Sequence, residues 1–129
     1  MYKGILCVLI VCAVFPAASA VSNDAERIAY VDLVSGIDEH RGATYAATSV
    51  PIRFFDIPRN FSYQTAPSDK VLMMTDRSGG ERVFLIVPQD MISHFKTNMV
   101  SNKEMDYLYT PLGIYNKFPL LRLVSVAGE

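Results

Sequence analysis

The chain has 129 residues, half of them hydrophobic, with 12 Lys and Arg against 13 Asp and Glu and a formal net charge of -1. That is the scale of one domain around one apolar core, and a charge so near neutral argues against a surface built to neutralise phosphates. Two cysteines and two histidines offer neither a disulfide framework nor the convergent ligands of a zinc site.

Met1, Tyr2 and Lys3 put one positive charge ahead of an uncharged apolar run from Gly4 to Phe15. Such a run suits a signal-peptide core and falls short of the ~20 apolar residues that a bilayer span requires. Pro16 ends any helix, because it lacks the N–H, and Ala18-Ser19-Ala20 follows as a small-residue cleavage site. Residues 1–20 are therefore expected to be a cleaved signal peptide, leaving 21–129 as a single small globular domain with no membrane span. Bulky Ile5-Leu6 and Ile10-Val11 precede Cys7 and Cys12, which argues against lipid attachment. Both cysteines then leave with the signal. Without Lys3, 11 Lys and Arg face 13 Asp and Glu. An exported domain without a disulfide fits a sheltered compartment, so the expectation is periplasmic, with secretion as the alternative. The sequon Asn60-Phe61-Ser62 would matter only in a eukaryotic secretory route.

Along the expected mature chain, Arg27 to Val34 is rich in β-branched and aromatic residues and reads as a strand. A helix is the alternative there, since Asn23 and Glu26 resemble a capping box and Gly36 suits a helix end. Gly36 to Gly42 reads as a polar loop. Ser49 to Ile57 reads as a strand, with Pro51 placing it at an edge or a start. Asn60 to Asp69 is irregular. Val71–Thr75 and Glu81–Val87 flank a Gly79-Gly80 turn and make the clearest hairpin. The unbroken apolar run Phe84-Leu85-Ile86-Val87 points to a strand buried on both faces.

Pro88-Gln89-Asp90 opens a helix over 90–99, with Met91, Ile92, Phe95 and Met99 along one stripe and either Asn98 or Ser101-Asn102 suited to the exit. Met105–Tyr109, continuing past Pro111, and Leu120–Val126 read as two more strands. A mainly β domain follows, its single helix lying between the third and fourth main strands. That is the order of a small five-stranded OB-fold-like barrel. The alternative is an α+β sandwich with a helical N-terminal segment.

No catalytic constellation emerges. Ser78-Gly79-Gly80 lacks the G-x-S-x-G elbow, and no phosphate-cradling glycine pattern occurs. Asp38-Glu39-His40 are adjacent donors that point different ways from a loop. No cofactor is expected. The suggestive pattern is aromatic: Arg53, Phe55, Arg59, Phe61 and Tyr63 interleave cations with rings on and after the second strand. Such a face can stack rings or contact a protein. Arg77 and Arg82 bracket the hairpin tip. These seven residues are the candidate partner-binding set. Tyr107, Tyr109, Tyr115 and Phe118 form a second aromatic group, assigned mainly to the core.

The reading is an exported non-enzymatic binding or assembly protein that recognises a protein or a glycan of the cell envelope. An inhibitor or immunity-type protein acting through the Asp76–Arg82 loop is the first alternative, and an oligonucleotide-binding OB-fold the second, weakened by the acidic balance. The export argument makes a direct prediction. Intact-mass measurement of the exported form should give a chain that begins at Val21 and lacks cysteine. A species that retains residues 1–20, or carries a diacylglyceryl group, would overturn the compartment assignment.

Overall fold

The computed structural model describes residues 25–127, so the signal peptide expected at 1–20 lies outside the described residues. The elements run α1 (Tyr30–Ser35), α2 (Ile37–His40), β1 (Tyr45–Asp56), β2 (Lys70–Thr75) and β3 (Arg82–Val87). A 3-10 turn (Gln89–Met91) then leads into α3 (Ile92–Ser101), followed by β4 (Met105–Tyr115) and β5 (Phe118–Val126). Hydrogen-bonded neighbours follow the circuit β1-β2-β3-β5-β4 and close on β1. β3 and β5 pair in parallel, and every other pair is antiparallel. With α3 inserted between β3 and β4, this is the OB-fold architecture, and closure leaves no free sheet edge.

Inward-facing residues of all five strands make the interior. Leu72 and Met74 of β2, Val83, Leu85 and Val87 of β3, Tyr107 and Tyr109 of β4 and Leu121 of β5 share one apolar cluster. α3 leaves the end of β3 and seats Phe95, wholly buried, on this cluster, with Met91, Ile92 and Met99 partly buried beside it. The expected stripe is therefore the buried face. Asn102 ends the helix in the left-handed region at φ 56°, and its N–H is taken up by the last helical carbonyls. The Tyr107 hydroxyl, 3.0 Å from Ser49 Oγ, is pushed up to about 12 by burial.

Three sequence expectations are corrected. Arg27–Val34 is not a strand: Tyr30–Ser35 is helical, because Tyr30, Leu33 and Ile37 recur at helical spacing and reach the core while Val31 and Val34 face solvent. Gly36 does close that helix, its N–H donating to the Asp32 carbonyl at 3.0 Å. The 36–42 segment is not wholly loop, since Ile37–His40 forms a helical turn that buries Ile37. Pro51 does not sit at an edge or a start. It lies inside a strand that begins at Tyr45, at the point where β1 leaves β4 and takes up β2, beside a register shift between Pro51 and Arg53. A bulge tolerates the missing donor.

Because Phe95 is the deepest contact between α3 and the barrel, Phe95→Ala should lower unfolding free energy by ~3–5 kcal/mol. Urea unfolding measures this. A loss below ~1 kcal/mol would mean that α3 is peripheral to the core.

Candidate functional site

The outward residues of β2 and β3 are as apolar as the inward ones. Val71, Phe84 and Ile86 join Leu120 in a second buried cluster, outside the barrel wall. An apolar sheet face needs a cover, and the β1–β2 connection, 57–69, supplies one. Its Phe61 ring lies 5.4 Å from Tyr115 and 5.3 Å from Tyr63, centroid to centroid. Phe84 is the hub of the group, edge-on to Phe55 at 6.3 Å, Tyr115 at 5.5 Å and Phe118 at 5.9 Å. These are the T-shaped contacts that ring quadrupoles favour. Tyr115 and Phe118 are held together by the β4–β5 turn, where Asn116 and Lys117 both take positive φ, 50° and 77°.

The connection is a strap with three fastenings. Arg122 of β5 donates to the Gln64 carbonyl at 2.6 Å. Tyr63 lies across Gly113 of β4 so closely that a Cβ there would overlap its hydroxyl. At the base, Lys70 pairs with Asp56, and Asp69 accepts from the Ala66 N–H at 2.8 Å. The Lys70 ammonium holds the Asp56 carboxyl below the usual carboxylate range, so Asp56 is ionised at neutral pH.

Between the strap and the β4–β5 turn a pocket of about 280 Å³ stays open. Phe55, Val71, Met73, Phe84 and Tyr115 line it, with Asp56 and Asn116 as its polar members. The Arg53 guanidinium carbon stands 4.7 Å from the Phe55 ring centroid, a cation–π contact on the outer surface. Arg59, also exposed, has no hydrogen bond or ion pair among the described residues.

Five of the seven sequence-derived candidates, Arg53, Phe55, Arg59, Phe61 and Tyr63, thus lie on one face. Phe61 and Tyr63 are half-buried there and serve the strap, while Phe55 lines the pocket. Arg77 and Arg82 are elsewhere, at the hairpin that leaves β2 beyond Thr75, whereas the strap enters β2 at Lys70. Arg77 pairs with Glu104 at 3.1 Å, and Arg82 Nε donates to the Gly79 carbonyl at 3.4 Å. The tip itself is organised by Asp76, whose carboxylate accepts from Ser78 Oγ at 2.7 Å and from the Glu81 N–H at 3.1 Å. Gly79, at φ 82°, makes the turn.

Sequence reasoning missed Met73, Phe84, Tyr115 and Phe118 as members of this face. Tyr115 and Phe118 were grouped with Tyr107 and Tyr109, but the turn at Asn116-Lys117 carries them to the outer cluster. The available signal was the two-faced burial expected of β3, which demands a covering segment. Among the described residues, no three His, Cys, Asp or Glu are placed to share a metal ion; His40 Nδ1 sits 2.9 Å from the Tyr45 hydroxyl.

No family model matches the chain. No curated protein sequence matches it. A solved structure of an OBody bound to hen egg-white lysozyme is similar, with a TM-score of 0.48 and 12% identity over 72% of this chain and 88% of that one. The strand circuit and the position of α3 define the fold here without that likeness.

The close approach at Gly113 yields a paired test. Gly113→Ala should displace Tyr63 and loosen the strap, read as faster tryptic cleavage at Arg59, with a loss of roughly 1 kcal/mol in stability. Tyr63→Phe removes the hydroxyl that the new Cβ would meet and should recover most of that loss in the double variant. Additive effects of the two changes would mean that Tyr63 does not lie over Gly113.

Proposed function

We propose that the chain is an exported, non-enzymatic binding protein that captures a protein partner through the pocket on the outer face of β2 and β3. One observation carries this reading: the sheet face that the strap covers keeps an apolar opening, near two exposed arginines, Arg53 and Arg59. The pocket suits one aromatic or aliphatic side chain of the partner as an anchor. Fully desolvated anchors of this kind, ringed by polar groups, dominate the energetics of protein interfaces. Asp56 and Arg53 supply opposite charges at the opening, which fixes orientation more than it adds affinity. A net acidic mature chain supports a protein over a nucleic acid. The predicted signal peptide supports an encounter outside the cytoplasm, with the periplasm as the first place to look.

The test is capture from the native envelope fraction by immobilised protein, with each recovered partner then purified and titrated. Met73→Arg would fill the pocket with charge, and it should weaken binding by at least about thirtyfold, the effect of losing a central anchor of ~2 kcal/mol. Arg59→Glu should weaken binding in a salt-dependent way. Arg77→Ala and Arg82→Ala should leave it unchanged. If the hairpin variants alone abolish capture, the contact is a protruding loop and the inhibitor reading replaces this one. Capture that survives Met73→Arg but disappears on deglycosylation of the partner assigns the ligand as a glycan and overturns the protein reading.

A further inference from the structure

A second pocket opens at the end of the barrel where β1 begins. It measures about 220 Å³ and lies between α1 and the strands. Its floor is the inward side of Tyr107, Tyr109, Val83 and Leu121, and Tyr30 and Leu33 of α1 form a further wall. Asp76 and Glu81, at the base of the β2–β3 hairpin, also line it.

Charge at this pocket is uncompensated. Arg27, the lone cation on its lining, is turned toward other partners, donating to Thr48 Oγ1 at 3.1 Å with Asp106 4.0 Å away. Neither Asp76 nor Glu81 forms an ion pair among the described residues. The Asp76 carboxylate receives neutral donors, among them the Ser78 and Thr75 hydroxyls and the Glu81 N–H. Those bonds hold its carboxyl below the usual range, so the charge persists at mildly acidic pH. Tyr30 responds to both carboxylates: burial pushes its hydroxyl up, and the Glu81 and Asp76 charges push it the same way.

A second observation concerns the floor. Tyr109 is only 2% exposed, yet among the described residues its hydroxyl has no hydrogen-bond partner. No fully buried side-chain oxygen or nitrogen of the described residues lacks a partner, so this hydroxyl keeps some exposure, and Tyr109 is among the residues that line the pocket. Its neighbours are already engaged: the Tyr107 hydroxyl with Ser49, and the Tyr30 hydroxyl with the Arg82 carbonyl at 2.7 Å.

We infer that this pocket binds a small organic ammonium ion, with Tyr30, Tyr107 and Tyr109 around its alkyl groups and Glu81 and Asp76 facing its charge. An anion is excluded by the two carboxylates. A bare metal ion is poorly matched, since Leu33, Val83 and Leu121 offer it no oxygen. A purely apolar ligand would leave both carboxylates and the Tyr109 hydroxyl unanswered. A tyrosine-walled site with carboxylates suits a cation that is itself greasy, through cation–π attraction and screened Coulomb attraction together. This site is independent of the partner pocket on the outer face.

Choline chloride is the probe, titrated into the full chain as expressed from Met1 and processed by the cell, with tyrosine ring resonances as the readout. Saturable shifts are expected at Tyr107 and Tyr109 and not at Tyr115, with a dissociation constant of roughly millimolar. The uncharged isostere 3,3-dimethylbutan-1-ol should bind at least about tenfold more weakly, which tests charge without altering the protein. Glu81→Gln, at an exposed position that keeps its backbone bonds, should weaken choline about fivefold at unchanged thermal stability. Equal binding of the isostere, no saturation by choline, or an identical response in Glu81→Gln would overturn the assignment.

Discussion

Strand β3 is buried on both faces, and the molecule is arranged around that fact. From Val83 to Val87 every residue is out of solvent. One set of side chains fills the barrel, and the alternate set, Phe84 and Ile86, would lie bare on its outside if nothing crossed over them. Barrel closure answers the hydrogen-bonding needs of the strand, but not the apolar surface on its outer side. The 57–69 segment answers that. Its aromatic residues, its clasp to Arg122 and the missing side chain at Gly113 all follow from having to lie flat across a greasy sheet.

The same constraint separates what the sequence makes legible from what it hides. The hairpin around Gly79-Gly80 and the stripe from Met91 to Met99 are local patterns, and the structure has both. The order of helix and strands then leads to the barrel. Residues 27–34 misled because Val31 and Val34, β-branched and suited to a strand, are the two that face solvent, while the core contacts fall on Tyr30, Leu33 and Ile37. Composition outvoted spacing over too short a segment. Tyr45 to Thr48 was missed as strand because Ala46 and Ala47 dilute the signal of Tyr45 and Thr48 and hide the alternation, although pairing with β4 fixes it. Phe61 and Tyr63 meet Tyr115 and Gly113 of β4, far along the chain, and no local pattern announces contacts at such separations.

The two pockets differ in their linings. The outer one is mostly apolar, with Phe55, Val71, Met73, Phe84 and Tyr115 and a single carboxylate, Asp56. The other gathers three tyrosines with Arg27, Asp76 and Glu81. They sit on either side of the wall that β2 and β3 provide: Met73 and Phe84 line one, while Val83 of β3 and Asp76 of the connecting hairpin line the other. A one-residue slip of register in the β2–β3 hairpin would carry side chains of each set to the opposite face and disturb both linings together. The internal hydrogen bonding of Asp76 therefore guards more than a turn.

The parallel pairing of β5 with β3 bears on the order of events during folding. The seam at Phe84–Leu120 joins the middle of the chain to its last strand, and that strand also supplies Arg122, the clasp on the strap. Closing the barrel and fastening the cover of its outer face therefore both wait on β5. Until β5 is in place, the outer side of β3 has neither its parallel partner nor the clasp on its cover.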